Sequence, residues 1–452
     1  MVGDYNHVFD PVVYLRRFFD STEDQRYVFL IDEAHNLADR VRDMYTASLH
    51  KSQFSTLCRE LKDKNKPAAA LRKSLRQVSS YLLSQGKELQ AEVSAETVLL
   101  GNSRQHRISR EQDKALTALV QLFVEAAKEW MGDRENRTHP LYSQLLELFF
   151  NASAFLGIGE LYDDHFTTIL ERLSGEVRYT LYCLDPSSII SDRLKRGKSA
   201  VLFSATLTPL DYYRDILGGS EGDSTLALPS PFDPSYLLLA AHVGISTKYT
   251  DRCESYSPIA DCIYLATSCK KGNYLVFFPS YDYMQQVYQL FTQRYADVDT
   301  LLQHSAMTEE ERTAFLQRFD SENPETLVGF CVLGGIFSEG IDLKGERLIG
   351  SIVVGVGLPR LSLRQDLIRA YYNDKNGLGY QYAYVYPGMN KVLQAAGRVI
   401  RSESDYGIVL LLDSRFGTAS YRALYPPHWS EMQMFRDSSS LKRLLEQFPY
   451  FR

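Results

Sequence analysis

Several features that mark other protein classes are missing from this sequence of 452 residues. No run of about 18 apolar residues is present, and no basic start is followed by an apolar segment, so neither a membrane span nor a secretory signal is predicted. The six cysteines include no Cys-x-x-Cys pair and are typical of a reduced, intracellular protein. A net charge of −6 argues against a protein that is basic throughout, but it leaves room for a local basic groove.

Three of the cysteines, Cys253, Cys262 and Cys269, are close enough in sequence to be imagined as ligands of a cluster. Cys262 and Cys269 fall in one predicted helix, however, and packing is the favoured role. What the chain does have is apolar content of 44%, with 12% aromatic residues, which is ample for sizeable cores. At roughly 150 residues per domain, the length predicts about three domains.

An apolar run followed at once by two carboxylates is the most informative stretch. Residues 28–31 predict a strand that is buried on both faces, and Asp32, Glu33, Ala34 and His35 follow it. Open α/β sheets bind their ligands at the carboxyl ends of strands. There, Asp32 can hold Mg²⁺ and Glu33 can orient or deprotonate a water, which is the chemistry of nucleotide hydrolysis. The alternative is a helix whose first turn carries acids to suit its dipole.

The chain then alternates between helical and strand patterns. From about Val41 to Glu176, apolar residues recur at helical spacing, as at Leu71, Leu75, Val78 and Leu82. Strand and helix patterns alternate afterwards, which predicts parallel sheets covered by helices. The predicted fold class is α/β, with an all-helical block inserted into the first of two domains. We expect the first domain at 1–40 and 177–228, the insertion at 41–176 and the second domain at 229–452.

Hydroxyl-bearing and glycine-rich segments follow the later strands. Ser204 and Thr206 could link the state of a nucleotide to a bound polynucleotide, or one of them could cap the next helix. Ser280 and Tyr281 suit a phosphate contact and base stacking. Residues 334–343 include Gly340 and Asp342, and their backbone could approach a phosphate or a ribose. A tight turn is the alternative there.

Two arginines near the end of the chain are predicted to share a helix face. Gln394, Arg398 and Arg401 fall at i, i+4 and i+7, and Gly397 would allow a close neighbour. Two guanidinium groups projecting together suit the charge that grows on a γ-phosphoryl group during hydrolysis. A solvated basic face is the alternative, but the apolar residues around these arginines weaken it.

In this order, the motifs at 32–35, 204–206, 277–281, 338–342 and 394–401 resemble those of superfamily 2 helicases of the DinG/XPD type. The resemblance spans nearly the whole chain. It implies 5′→3′ unwinding of single-stranded or forked DNA driven by ATP and Mg²⁺, in a cytoplasmic, nucleoid-associated setting. It also implies two RecA-like motor domains, the first carrying an arch-like helical insertion.

The resemblance assigns a role to each candidate residue by its position. Asp32 resembles the Mg²⁺ ligand, Glu33 the residue that activates water, and His35 the coupling residue. Arg398 and Arg401 resemble the γ-phosphate contacts, and Gln394, Gly340 and Asp342 accompany them around the nucleotide. Ser204 and Thr206 would couple hydrolysis to movement, and Ser280 and Tyr281 would contact DNA.

The sequence departs from the family pattern in two ways. It has no Gly-x-x-x-x-Gly-Lys-Ser/Thr loop, and it lacks the four-cysteine motif that holds a [4Fe–4S] cluster in such helicases. We therefore expect this chain to be the downstream part of a larger helicase, with negligible ATPase by itself and exposed apolar surface along residues 28–31. The alternative is a non-catalytic DNA-binding or scaffold protein that retains the fold.

The predicted insertion begins with a local excess of basic residues. Residues 51–76 contain only two acids, Glu60 and Asp63, against eight basic residues. Such a segment can follow the backbone of single-stranded DNA, or it can be a solvated helix face. The basic residues are Lys51, Arg59, Lys62, Lys64, Lys66, Arg72, Lys73 and Arg76.

Overall fold

A computed structural model describes residues 2–19, 27–63, 65–92, 105–337 and 341–451. The chain divides into two compact units, the first formed by Met1–Ser204 with Arg214–Glu221 and the second by Ala205–Tyr213 with Gly222–Arg452. The short helix α9 (Leu210–Ile216) contains residues of both units. Each unit is described separately below.

The first unit contains a parallel pair of strands that carries the Asp-Glu-Ala-His segment. Strand β1 (Val28–Ile31) pairs with β6 (Ser199–Leu202), and Ile31 lies opposite Leu202. Val28 and Leu30 are 54% and 71% exposed, because the described residues cover only one face of this pair. Burial of β1 on both faces was therefore a wrong prediction, whereas the expected exposure of apolar surface along this strand is confirmed.

The inserted segment is mainly helical, but it also contains a sheet. Its long helices pack on apolar faces that include Leu71, Leu75 and Val78, as the sequence periodicity predicts. The prediction of an all-helical block needs correction, because four strands form an antiparallel sheet in the order β2-β5-β4-β3. The helices are α4 (Lys51–Glu60), α5 (Lys66–Glu92), α6 (Lys114–Gly132) and α7 (Tyr142–Glu160), and the strands are β2 (Ala47–His50), β3 (Gln105–Ser109), β4 (Phe166–Leu173) and β5 (Glu176–Cys183).

Hydrogen bonds connect the shorter helices of the first unit. Phe9, the last residue of α1, is buried, and its carbonyl oxygen accepts a hydrogen bond from the Tyr45 hydroxyl at 3.0 Å. Arg193 donates to the same hydroxyl at 2.8 Å, so the end of α1 is tied to two other segments of the unit. These helices are α1 (Asn6–Phe9), α2 (Arg16–Phe19), α3 (Leu37–Met44) and α8 (Ser187–Leu194).

The second unit is a parallel sheet of seven strands in the order β13-β7-β12-β11-β8-β10-β9. Its central strands are buried throughout, as expected for a parallel sheet with helices on both faces. The strands are β7 (Leu237–His242), β8 (Asn273–Phe278), β9 (Asp299–Leu302), β10 (Leu327–Val332), β11 (Gly350–Val354), β12 (Gly407–Leu412) and β13 (Gln433–Phe435).

Alternation along the strands builds two cores in this unit. On β8, Leu275 and Phe277 face one core, while Tyr274, Val276 and Phe278 face the other. The helices that cover the sheet are α10 (Arg252–Cys269), α11 (Tyr281–Arg294), α12 (Glu309–Gln317), α13 (Leu363–Asn376), α14 (Tyr386–Ala396), α15 (Ala419–Arg422) and α16 (Ser438–Gln447). Among the residues described, no helix is long and apolar enough to cross a membrane.

Candidate active site

The two carboxylates lie where the sequence places them, directly after β1. Asp32 and Glu33 are both exposed, and Glu33 is in the left-handed region with φ of 49° and ψ of 39°. This conformation costs a residue other than glycine about 1–2 kcal/mol. The backbone N–H of Glu33 donates to Oδ1 of Asp32 at 2.7 Å, which fixes the first carboxylate against the turn.

His35 and Ser204 come together at the ends of the two paired strands. The Nδ1 atom of His35 lies 2.7 Å from Oγ of Ser204 and 3.3 Å from Oε2 of Glu33. The Ser204 hydroxyl is in turn 3.2 Å from the same Glu33 oxygen. The imidazole is 3% exposed and the Glu33 side chain 63%, so the buried ring and the hydroxyl hold a carboxylate that reaches solvent.

Tyr5 is a member of this site that sequence reasoning missed. Its hydroxyl lies 2.6 Å from the carbonyl oxygen of Asp32 and 2.9 Å from that of Glu33. Burial, followed by the charges of Glu33 and Asp32, raises the pKa of Tyr5 to about 12. The hydroxyl is therefore protonated at neutral pH and serves as a donor to both carbonyl groups.

The donor set at the end of β1 fits Mg²⁺. This ion binds proteins through one or two carboxylates and keeps several waters or phosphate oxygens as its other ligands. Asp32 supplies such a carboxylate, since its side chain is exposed and its Oδ1 is fixed by the Glu33 N–H. No group of three or more His, Cys, Asp or Glu side chains arranged to hold a metal occurs in the described part of the chain.

Three of the predicted DNA-contact or coupling residues belong to the second unit. Thr206 is buried. Ser280 caps α11 by accepting from the Tyr283 N–H at 3.4 Å, so its hydroxyl serves the helix end. The Tyr281 hydroxyl accepts from Nε2 of the buried Gln303 at 3.0 Å, and burial raises its pKa. The Tyr281 side chain is nevertheless 37% exposed, which leaves part of the ring open for stacking.

Arg398 and Arg401 converge, but they are not on a helix. Helix α14 ends at Ala396 with Gly397 as its C-cap, so the predicted helical face through Gln394, Arg398 and Arg401 is wrong. Asp405 binds the backbone beyond the end of the helix. Its Oδ2 accepts from the N–H groups of Arg401 and Ser402 at 2.7 and 2.8 Å.

The two guanidinium groups meet at one carbonyl oxygen. Arg398 and Arg401 donate to the carbonyl oxygen of Ile341 at 3.0 and 3.4 Å, which ties the arginine segment to residues 341–343. Gln394 is buried within α14. Next to Ile341, the exposed carboxylate of Asp342 pairs with Lys344 at 3.1 Å. Gly340 lies outside the described residues.

A second strand-end carboxylate, Asp413, was not singled out from the sequence. It follows β12, is fully buried, and accepts from Nε and an amino group of Arg415 at 2.8 Å each. The N–H and hydroxyl of Thr247, which lies beyond β7, also donate to it. Gly355 has a φ of 77°, and a Cβ there would lie 2.9 Å from the Thr247 hydroxyl. The pattern of an apolar run followed by Asp, used at β1, would have found this residue.

The architecture defines a class before any comparison of sequences. A seven-stranded parallel sheet, a second parallel strand pair that ends in Asp-Glu-Ala-His, and a largely helical insertion form an α/β RecA-like fold. Among solved structures, the chain is similar to one described as XPD_APO, with a TM-score of 0.60 and 20% identity over 96% of this chain and 81% of that one. It is also similar to S. tokodaii Xpd4, with a TM-score of 0.58 and 13% identity over 95% and 81% of the two chains.

Sequence comparisons also find similarity to helicases. Residues 263–432 match the family model described as Helicase C-terminal domain. The chain is 25% identical over 468 residues to the ATP-dependent DNA helicase CHL1 of Coccidioides immitis, covering 88% of this chain and 53% of that protein. It is 24% identical over 420 residues to the ATP-dependent DNA helicase XPD of Sulfolobus acidocaldarius, covering 90% and 68%.

These matches show a RecA-like fold that is shared with solved XPD structures. In sequence, the chain is similar to the DNA helicases CHL1 and XPD. It spans about half the length of the CHL1 relatives that it matches.

Proposed function

We propose that this chain is the motor portion of an ATP-dependent DNA helicase that moves 5′→3′ along single-stranded DNA. The observation that carries the proposal is the cluster after β1 and β6, in which His35 contacts both Ser204 and Glu33. A scaffold has no physical need for an exposed glutamate held by a buried histidine and a hydroxyl, whereas hydrolysis of an anhydride needs an oriented carboxylate.

The carboxylates divide the chemistry between them. Asp32, whose Oδ1 accepts from the Glu33 N–H, would hold Mg²⁺ with its other oxygen, and the ion would neutralise charge that develops on the phosphates. Glu33 would orient the attacking water and accept its proton. The contact with His35 and Ser204 keeps the Glu33 carboxylate at one side of the turn, so the base is in place before substrate arrives.

Ser204 would link the hydrolytic site to the segment 204–206. It is the last residue of the first stretch of the first unit, and Ala205 and Thr206, which follow it, belong to the second unit. A change in charge at Glu33 or His35 would alter the hydrogen bonds of the Ser204 hydroxyl and so bias the backbone at this division. In the same proposal, Arg398 and Arg401 contact the γ-phosphate, and Gln394, Gly340 and Asp342 lie around the nucleotide.

The proposed DNA contacts rest on exposed aromatic and basic groups. Tyr281 offers a partly exposed ring at the start of α11, where a base could stack. In the insertion, Lys62, Lys66, Lys73 and Arg76 are exposed, as backbone contacts require. Single-stranded or forked DNA is the substrate class that these groups would hold.

The test compares two variants of the full-length protein that the gene encodes. Glu33→Gln removes the base but keeps the shape, and we expect DNA-stimulated ATP hydrolysis to fall by at least about 100-fold while binding of a labelled single-stranded oligonucleotide is unchanged. The matched control is Glu147→Gln, an exposed glutamate of α7. Equal hydrolysis by the two variants would refute the proposal, and DNA binding without any hydrolysis in the unaltered protein would favour the scaffold alternative.

A further inference from the structure

We propose that Tyr5 is a positioning residue for the pair Asp32–Glu33, holding their carbonyl groups so that both carboxylates project from one fixed turn. The inference rests on the proposed function of these carboxylates and adds a residue that lies 27 positions before Asp32. Its hydroxyl is shared between the carbonyl oxygens of Asp32 and Glu33, at 2.6 and 2.9 Å.

The turn needs such support because its backbone is held in an unfavourable conformation. Glu33 has a φ of 49°, which side-chain-bearing residues adopt only when the surroundings impose it. Residues after β1 and β6 hold one side of the turn. The Ala34 N–H donates to the Phe203 carbonyl oxygen at 3.1 Å, and the Phe203 N–H donates to the Ile31 carbonyl oxygen at 3.0 Å. The strand pairing does not reach the carbonyl groups of Asp32 and Glu33. Tyr5 donates to both, and the Glu33 carbonyl oxygen also accepts from the Asn36 N–H at 2.9 Å.

Tyr5 is itself held in place. Its own carbonyl oxygen accepts from the N–H groups of Val8 and Phe9 at 3.0 and 2.9 Å, so Tyr5 begins the single turn of α1. That turn is anchored by buried Phe9, whose carbonyl oxygen accepts from Tyr45, and by Arg196, which donates to Val8 at 3.4 Å. These contacts fix the position of the Tyr5 side chain, as is needed for a group that orients a metal ligand.

Two further charged groups lie near the Tyr5 hydroxyl. They are Asp4, on the same segment, and Arg40, on α3, and their side chains lie 4.0 Å apart. A phenylalanine would preserve the ring but leave both carbonyl groups without this donor.

The first experiment measures the turn without relying on catalysis. In Tyr5→Phe we expect amide hydrogen exchange across residues 33–36 to accelerate about fivefold, with the melting temperature and exchange in the insertion unchanged. The control is Tyr162→Phe, which removes a hydroxyl bound to Thr168 in the insertion. Unchanged exchange at 33–36 would overturn the proposal, and so would accelerated exchange throughout the first unit, because that would show a general structural role.

The second experiment uses Mn²⁺ alone as a spectroscopic substitute for Mg²⁺. We expect Tyr5→Phe to weaken Mn²⁺ binding about tenfold, as loss of an outer orienting group does elsewhere. p-Aminophenylalanine at position 5, which keeps a donor, should restore the affinity, and O-methyltyrosine, which has none, should not. Restoration by both or by neither would overturn the role of the hydroxyl.

Failure of the proposed function gives a different result. If Asp32→Asn binds Mn²⁺ as well as the unaltered chain does, the assignment of Asp32 as metal ligand is wrong. The role of Tyr5 in holding the turn is then decided by the exchange measurement alone.

Discussion

The Nδ1 atom of His35 lies 2.7 Å from the hydroxyl oxygen of Ser204, although the two residues are 169 positions apart in the sequence. They meet because β1 and β6 are parallel neighbours in register, so the residues that follow the two strands emerge at the same edge. The same hydroxyl reaches the Glu33 carboxylate. One serine thus contacts both the proposed base and the proposed coupling residue.

Replacing Ser204 should separate hydrolysis from movement. In the full-length protein that the gene encodes, we expect Ser204→Ala to lower ATP hydrolysis by about tenfold, which corresponds to the lower end of the value of one lost hydrogen bond to a charged group. Strand displacement should fall much further, because the link between Glu33 and the 204–206 segment is lost. Ser55→Ala, which removes an exposed hydroxyl in the insertion, is the control. Equal losses of hydrolysis and displacement would contradict the coupling role.

Much of this first site could be predicted from short-range patterns. Four apolar residues before Asp32 indicate a strand, and the end of a parallel strand indicates a site. Tyr5 could not be found in this way, because nothing distinguishes it from the other 29 tyrosines until tertiary structure brings it to the turn. Helical spacing likewise failed at Arg398, where a C-cap glycine and the carboxylate of Asp405, four residues after Arg401, outweigh periodicity.

The antiparallel sheet of the insertion shows a related limit. Strands β2 and β3 have only four and five residues, too few for a clear alternating pattern. Residues 178–183 of β5 alternate as a strand does, and Ser174 and Gly175, both with positive φ, form the two-residue turn that joins β4 to β5. The pairing of β5 with β2, by contrast, could not be read from local sequence. The pairing of β2 with β5 is set by tertiary packing, which the periodicity of the sequence does not report.

Removing Asp405 should destabilise the arginine segment. Its carboxylate, on a residue 3% exposed, accepts from the N–H groups of Arg401, Ser402 and Gly345. We expect Asp405→Ala to lower the free energy of unfolding of the second unit by about 3 kcal/mol, because several partly buried donors lose their acceptor. Urea denaturation followed by circular dichroism measures this. Asp297→Ala, at an exposed aspartate, should change it by less than about 0.5 kcal/mol.

The exposed basic residues of α5 should set the salt dependence of DNA binding. Lys66, Lys73 and Arg76 are separated by seven and three positions and so lie near one face of the helix. Changing all three to Gln should weaken binding of a single-stranded oligonucleotide and reduce the slope of log K against log salt by about 0.7 per lost phosphate contact. Fluorescence anisotropy at several salt concentrations gives both quantities.

A matched triple variant tests whether position matters. Lys195, Lys271 and Lys442 are exposed and each pairs with an acid, Asp192, Glu325 and Glu446 respectively. Changing these three lysines to Gln removes the same charge from other surfaces. An equal loss of affinity and slope in the two triple variants would remove the idea that the α5 face contacts DNA.

Alkaline pH should weaken the insertion through Tyr179. Burial, assisted by the charge of Asp113, raises the pKa of this tyrosine from 10.0 to about 12. Because the folded-state pKa is the higher one, the resulting stability is complete below pH 10 and is lost as pH rises through 12. Two pKa units correspond to about 3 kcal/mol.

The change Tyr179→Phe should remove this part of the pH dependence. It should also cost about 1 kcal/mol at neutral pH, because the Asp113 N–H loses the hydroxyl to which it donates at 3.1 Å. Urea denaturation at intervals from pH 8 to pH 12 measures both effects, with Tyr142→Phe as the control in the same insertion. An unaltered decline above pH 10 in Tyr179→Phe would show that other groups carry it.

The 452-residue polypeptide by itself should have negligible ATPase activity, although it contains Asp32, Glu33, Arg398 and Arg401. Hydrolysis by this class of site needs a glycine-rich backbone cradle and a lysine to grip the β- and γ-phosphates, and the 452 residues contain no such loop. Phosphate release with saturating ATP, Mg²⁺ and single-stranded DNA is the measurement. Turnover at the rate of a complete helicase, abolished by Glu33→Gln, would show that other residues of this chain grip the phosphates.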